Sequence, residues 1–163
     1  HFINNRPYII QQYLELLDHH EKTYDIRALV QKNQRGLWQL TGTAVRTGSA
    51  NGFTSNLRGG GKAAATVPYL HAIFPKKTVM HLYESICRLS AMLPPFLESY
   101  FGRLAELGID FGVDRRGQLW ILEVNSKPGR SVFQLIGDKN AKRNATMHPL
   151  NYARYLVDRQ LGG

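Results

Sequence analysis

Apolar and polar residues alternate along several stretches of the chain with the two-residue period of a β-strand. Residues 24–32 and 37–47 alternate in this way and are rich in β-branched and aromatic side chains, so we predict two strands. The sequence between them, Asn-Gln-Arg-Gly at 33–36, has Asn first and Gly fourth, which is typical of a type I turn. Residues 7–13 predict an earlier strand with a proline at its entrance.

Helical spacing replaces alternation in the middle of the chain. Apolar residues recur every three to four positions over residues 77–92, which predicts an amphipathic helix. Pro94 and Pro95 are expected to end this helix, because proline lacks the backbone donor that a helix interior needs. Residues 96–107 predict a second helix.

A second hairpin and a last helix complete the pattern. Residues 108–114 and 118–125 predict two strands joined by a turn, and residues 150–161 predict a C-terminal helix. Residues 48–66 are rich in Gly, Ser, Asn and Ala and are expected to form a loop. Hairpins separated by helices predict an α+β fold with an antiparallel sheet flanked by helices.

Composition narrows the class of protein. The chain has 163 residues, 43% of them hydrophobic, which is enough for one domain with its own core. A single cysteine, Cys87, excludes a disulfide framework and any multi-cysteine metal site. The first residue is His1 rather than Met, and we expect the chain to be a piece of a longer polypeptide.

Net charge favours an anionic partner. The formal charge is +9, and residues 126–163 contribute seven basic and two acidic residues to it. Aromatic and basic residues are not interleaved as in an RNA-recognition motif, so nucleic acid is the weaker hypothesis. No apolar run reaches the length of a membrane-spanning helix.

The second hairpin carries candidate metal ligands. Asp110 lies on its first strand, and Glu123 and Asn125 share one face of its second strand. A four-residue loop would place Asp110 diagonal to Glu123, a two-residue loop would pair them directly, and a three-residue loop without a compensating bulge would separate them. Facing carboxylates destabilise a strand pair, and a divalent cation such as Mg²⁺ would remove that penalty. A solvated edge strand that merely carries acids is the alternative interpretation.

The first hairpin carries candidate phosphate ligands. A loop at residues 33–36 would pair Lys32 with Leu37 and place Arg27 and Arg46 on one face together with Asp25. Two guanidinium groups on one face suit a phosphate or an acyl-phosphate. A surface ladder with an Asp25–Arg46 ion pair is the alternative.

Three segments in this order resemble an ATP-grasp ligase: YIIQQYL, then DIR with a later Arg and an Asn–Gly-Gly loop, then GIDFGVD followed by GQLWILEVNSKPG. The segments QKNQRGLWQLTG, NLRGGG and EVNSKPG most resemble those of the spore-coat-associated, YheC/YheD-type ATP-grasp proteins of endospore-forming bacteria. The resemblance implies an Mg²⁺–ATP-dependent carboxylate–amine or thiol ligase that acts through an acyl-phosphate. It also implies that residues 1–163 are the C-terminal part of the ATP-grasp domain, without the N-terminal lid subdomain and the preceding domain, and a location in the cytoplasm or at the spore coat.

The resemblance also assigns roles to individual residues. Asp110, Glu123 and Asn125 match the Mg²⁺ ligands (Mn²⁺ would fit as well), and Arg27 and Arg46 match the arginines that hold the transferred phosphoryl group. The remaining implied contacts are with adenine (Gln11, Gln12, Tyr13 and Leu14), ribose (Asp18 or Glu15) and the acceptor side (Asn56, Gly59, Gly60 and Lys127). The family often has Glu where this chain has Gln12. A spore-structure protein that keeps the fold without catalysis is the competing hypothesis.

Overall fold

The computed structural model describes residues 10–48 and 61–161. Its centre is a five-stranded sheet of order β3-β2-β1-β4-β5, in which every neighbouring pair is antiparallel. In chain order the elements are β1 (Tyr24–Lys32), β2 (Trp38–Thr47), β3 (Lys62–Ala65), α1 (Thr66–His71), α2 (Lys76–Phe101), β4 (Glu106–Val113), β5 (Leu119–Asn125), α3 (Val132–Leu135) and α4 (Lys139–Leu161). The predicted α+β class and both predicted hairpins are confirmed.

Helices cover both faces of the sheet. On one face α1 and α2 pack against the larger apolar core, which includes Ile26, Ile109 and Phe111 from the strands. On the other face α3 and α4 pack against a smaller core around Leu29 and Ala44. β1 lies at the centre of the sheet and is buried along its whole length. Alternate residues of each strand therefore belong to different layers.

Both hairpins close in the same way. In the first, Asn33 and Leu37 bracket a three-residue loop whose last residue, Gly36, has φ +72°; in the second, Asp114 and Gln118 bracket a loop that ends at Gly117, with φ +77°. A positive φ of this kind favours glycine, which has no side chain to clash. The predicted pairing of Lys32 with Leu37 is wrong, because the extra loop residue pairs Lys32 with Trp38.

A β-bulge follows each loop. A loop with an odd number of residues would turn the side chains of the second strand to the other face of the sheet, and the bulge returns them to the original face. The β1–β2 register shifts between Leu29 and Val30, and the β4–β5 register shifts between Asp110 and Phe111. As a result Asp110 lies directly opposite Glu123. The three-residue loop is present, but so is the bulge that compensates for it.

Prolines do not end the helices where the sequence suggested. α2 is one continuous helix that runs through Pro94 and Pro95, so the predicted break at the prolines and the predicted helix over 96–107 are wrong. Its buried positions continue at helical spacing from Val79 to Pro94, and packing on the sheet therefore outweighs the loss of two backbone donors. α4 likewise contains Pro149 and begins eleven residues before the predicted start.

Two further predictions need correction. Residues 62–71 form β3 and the short helix α1 rather than loop at 62–66. Residues 10–13, the described part of the predicted first strand, are not in a strand. In the described part of the chain, no helix combines the length and the apolar character needed to cross a bilayer.

Candidate functional site

Five charged residues from four strands share the sheet face on which α3 and α4 pack. Across β1 and its neighbours, Asp25 pairs with Arg46 and Arg27 pairs with Asp110. Asp110 in turn pairs with Glu123 across β4 and β5. Side chains paired across antiparallel strands lie on the same face, so the sheet brings these groups together in one row.

Four of these residues form a continuous ion-pair network. The Arg46 guanidinium donates to both carboxylate oxygens of Asp25, at 2.6 and 2.8 Å, and its Nη2 lies 2.8 Å from Asp110 Oδ2. Arg27 donates through Nη2 to Asp110 Oδ2 at 2.8 Å and through Nε to Asp110 Oδ1. Two acids and two bases balance, and Asp25, Arg27 and Asp110 are all buried. We call these four residues the ion-pair network.

The network keeps Asp110 ionised. Burial opposes ionisation of this carboxyl, but hydrogen bonds and charge from Arg27, with the charge of Arg46, outweigh it and lower its pKa. The pKa of Arg46 is raised, because its contacts with Asp25 and Asp110 overcome the cost of burial. The site therefore holds full charges inside the protein at neutral pH.

Oxygen ligands suitable for Mg²⁺ lie beside the network. Glu123 is exposed, and its Oε1 accepts a 2.8 Å hydrogen bond from Asn125 Nδ2. Two carboxylates and an amide oxygen are hard donors of the kind that Mg²⁺ accepts, so the residue types fit the ion. Both oxygens of Asp110 already accept hydrogen bonds from arginine, so a metal ion at Asp110 would share this carboxylate with the arginines. No group of three or more His, Cys, Asp or Glu side chains able to hold a metal occurs within residues 10–48 and 61–161.

A cavity of about 620 Å³ adjoins this row of charges. It is lined by Gln11, Gln12, Tyr13, Leu14, Leu16, Trp120, Ile121 and Leu122. Leu122 directly precedes Glu123, so the mostly apolar cavity lies next to the candidate metal ligands along β5. Its volume is within the range of small-molecule sites in proteins. All four residues that the resemblance assigns to adenine line it.

The ribose candidates are already engaged. Asp18 is buried; its Oδ1 accepts from the backbone N–H groups of His20 and Lys22, and its Oδ2 accepts from the Tyr69 hydroxyl at 2.7 Å. Burial opposes ionisation, but these hydrogen bonds lower the pKa of Asp18. The geometry gives Asp18 a structural role in a turn, and it does not line the cavity. Glu15 forms a 3.0 Å ion pair with Arg115.

The loop after β5 folds back over the sheet. A Cβ at Gly108 would lie 2.7 Å from Pro128 Cβ and 3.2 Å from Arg27 Nη1, so only glycine allows this close approach. Arg130 holds the loop by donating to both oxygens of Glu106 at 2.7 Å. Lys127 is exposed on the same loop. Asn56, Gly59 and Gly60 lie outside the described residues.

Sequence reasoning missed several residues of this site. Leu16 and Trp120 line the cavity, and Gly108 makes room for Pro128, yet none was singled out. The apolar residues 120–122 directly before Glu123 were the available signal for the cavity wall. Nothing local in the sequence indicates that Gly108 faces a proline twenty residues away.

An antiparallel sheet with flanking helices, and a cavity beside the hairpin of β4 and β5 that carries Asp110 and Glu123, are consistent with the ATP-grasp class. The profile of the YheC/D-like ATP-grasp family matches residues 1–156, and the chain belongs to that family.

Two relatives from Bacillus subtilis (strain 168) show the same kinship. The chain is 34% identical to the endospore coat-associated protein YheC over 153 residues, which cover 94% of this chain and 42% of that protein. It is 29% identical to the endospore coat-associated protein YheD, with 97% of this chain and 34% of that protein covered. The chain therefore spans less than half the length of either relative.

Proposed function

We propose that the chain is the C-terminal part of an Mg²⁺–ATP-dependent ligase that joins a carboxylate to an amine or a thiol through an acyl-phosphate. One observation carries the proposal: the cavity is lined by the β5 residues directly before Glu123, and Glu123 faces Asp110 and the two arginines on one side of the sheet. ATP-grasp proteins generally bind ATP and Mg²⁺, and this arrangement offers a separate place for base, metal and phosphate.

Each group of residues would bind a different part of the Mg²⁺–ATP complex. The adenine base would bind in the cavity between β5 and the segment before β1, in contact with Gln11, Gln12, Tyr13 and Leu14. Arg27 and Arg46 would bind the terminal phosphate and stabilise negative charge on it during transfer. Asp110, Glu123 and Asn125 would hold Mg²⁺ (or Mn²⁺), which neutralises charge on the phosphate oxygens.

The reaction would occur in two displacements. A substrate carboxylate oxygen attacks the terminal phosphorus of ATP, and the bond to ADP breaks. An amine or thiol then attacks the acyl carbon, loses its proton and displaces inorganic phosphate. Lys127, exposed beside Asn125, and the loop residues Asn56, Gly59 and Gly60 are proposed to contact the acceptor.

The ion-pair network already occupies part of the groups that this chemistry would use. In the structure carboxylates accept from Nε and Nη2 of both Arg27 and Arg46, so a phosphate would bind through Nη1 or compete for the other donors. A phosphate would compete for the arginines, and a cation would compete for Asp110. We therefore expect metal and nucleotide to bind more tightly together than either does alone.

Association with the endospore coat is also part of the proposal. The two relatives named above are coat-associated by name. We further propose that an N-terminal subdomain, outside this chain, closes the other side of the cavity.

Glu123→Gln in the full-length protein is the test. The variant should keep its fold and lose Mg²⁺-dependent ATP turnover in a phosphate-release assay across a set of carboxylates. Glu84→Gln, on the exposed side of α2 in the opposite layer, is the matched control and should retain turnover. Full turnover in Glu123→Gln would contradict the site assignment.

A non-catalytic coat protein is the second candidate. The ion-pair network favours it, because two bases whose charge is already balanced by two acids can have a purely structural role. Titration calorimetry with Mg²⁺–ATP separates the two proposals. Binding without turnover on any carboxylate would favour the structural protein.

A further inference from the structure

The helix α4 has two opposite faces of different character. Its inner face packs on the sheet through Ala141, Ala145, His148 and Tyr152. Its outer face carries a row of seven exposed residues spaced by three or four positions: Lys139, Arg143, Met147, Leu150, Arg154, Val157 and Leu161. We call this row the α4 outer stripe. The spacing matches the helical repeat, so the stripe runs along the whole helix, roughly 33 Å.

The α4 outer stripe combines positive charge with exposed apolar surface. Leu150 is 60% exposed and Leu161 is 82% exposed. The helix has five basic residues and one acid, Asp158, whose 3.7 Å pair with Arg154 is solvent-exposed and weak. Lys142 adds a further exposed cation at the flank. Neither the proposed nucleotide site nor the core uses this surface.

We propose that the α4 outer stripe binds the surface of an anionic lipid bilayer. Lysine and arginine are attracted to lipid phosphates, while Leu150, Val157 and Leu161 can enter the boundary between headgroups and acyl chains. A nucleic acid would use the cations and leave the apolar side chains in water, so charge complementarity together with apolar exposure favours lipid. Because the inner face of α4 packs on the sheet, only the exposed side chains of the stripe reach the lipid, and the binding is peripheral and reversible.

Vesicle co-sedimentation with the full-length protein tests the proposal. The protein should bind vesicles of phosphatidylcholine with about one third phosphatidylglycerol and should not bind phosphatidylcholine alone. Arg143→Glu with Arg154→Glu should lower the bound fraction about tenfold. Lys76→Glu with Lys77→Glu makes the same charge change at exposed positions of α2, in the opposite layer, and should bind like the wild type.

The apolar half of the stripe needs its own variant. Salt screens the cations, so binding that persists at high salt should be lost in Leu150→Ser with Val157→Ser. A Leu150→Trp variant should show a blue-shifted emission only with anionic vesicles, which locates the contact. The four substituted positions of the stripe, residues 143, 150, 154 and 157, are all exposed, and circular dichroism should show unchanged folding.

Several outcomes would overturn the proposal. They are absence of vesicle binding, equal binding to both vesicle types, and an equal loss in the Lys76/Lys77 control. A DNA duplex that binds as tightly as the anionic vesicles and displaces them would also overturn it, because the stripe would then be a general polyanion surface.

Discussion

Asp110 holds the most consequential position among the single residues of the site. It is buried between two arginines, and removing its charge leaves one acid of the network, Asp25, to balance Arg27 and Arg46. We expect Asp110→Asn to lower the free energy of unfolding by about 3–5 kcal/mol in urea denaturation. Glu123→Gln is the control, because Glu123 is exposed and its loss should change stability by less than about 0.5 kcal/mol. Equal effects of the two substitutions would contradict the description of the network.

His148 makes the fold sensitive to acid. Gln39 Oε1 accepts from Asn33, so Gln39 Nε2 donates to His148 Nε2 at 2.8 Å. The Thr41 hydroxyl donates to Gln31 Oε1, so its oxygen accepts from His148 Nδ1 at 3.1 Å. These contacts require a neutral ring, and burial lowers the pKa of His148.

The sign of the pH dependence follows from that lowered pKa. The unfolded chain binds the proton more readily, so the contribution of His148 is complete above its unfolded pKa of about 6.5 and is lost as pH falls below it. The urea concentration at the unfolding midpoint should therefore decrease as the pH is lowered from about 7 to about 5. His148→Asn should be less stable at neutral pH but should show a flatter profile. An unchanged slope would assign the acid sensitivity to other groups.

Elements with strong local signals could be predicted, and those set by distant packing could not. Asn33 and Asp114 each accept hydrogen bonds from backbone N–H groups inside their own loop, so both turns are encoded locally. The bulges are not encoded locally. The three-residue loop and the bulge each shift the inward–outward alternation of the hairpin by one residue, and the two shifts cancel, so the sequence pattern shows neither. The candidate site was found because face sharing survives this cancellation, although the exact partners changed.

The continuation of α4 through Pro149 shows a non-local cause directly. Pro149 cannot donate to the Ala145 carbonyl four residues earlier, and that carbonyl instead accepts from Gln31 Nε2 at 3.0 Å. Gln31 is fully buried in the central strand. A distant side chain thus satisfies the backbone group that the proline leaves unpaired.

A double-mutant cycle tests this compensation. Gln31→Met should destabilise the protein by about 1–3 kcal/mol, because it leaves buried polar groups without partners. Pro149→Ala restores the helix donor, so in that background the same substitution should cost less by on the order of 1 kcal/mol. Strictly additive effects would show that Gln31 and Pro149 are not coupled.

Gly108 on β4 and Gly129 in the loop after β5 offer a matched pair of glycine substitutions. Gly108→Ala would drive a methyl group into Pro128 and towards Arg27, and we expect a loss of about 1–3 kcal/mol with weaker Mg²⁺–ATP binding. Gly129→Ala should change neither quantity, because nothing lies within 4 Å of its Cβ position. Thermal unfolding and titration calorimetry measure both effects. Similar results for the two variants would contradict the close contact with Pro128.

At the scale of the whole molecule, the net charge of +9 separates into parts with different physical meaning. Arg27 and Arg46 are neutralised inside the protein by acids on neighbouring strands. Three of the five basic residues of α4, Lys139, Arg143 and Arg154, lie on the α4 outer stripe, opposite the face that packs on the sheet. With one acid, Asp158, α4 carries a net +4 of the +9 at exposed positions, away from the network.

Within residues 10–48 and 61–161, the cavity is lined by residues before β1 and by β5, and we expect nucleotide affinity to depend on the rest of the protein as well. The 163 residues have two apolar cores and should unfold cooperatively by themselves. At a Mg²⁺–ATP concentration about 100 times its dissociation constant, the full-length protein should gain about 2.7 kcal/mol of stability. At the same concentration the isolated chain should gain less than half of this, and Glu123→Gln should remove the gain in both. Equal stabilisation of the two proteins would show that these residues hold the nucleotide without a second subdomain.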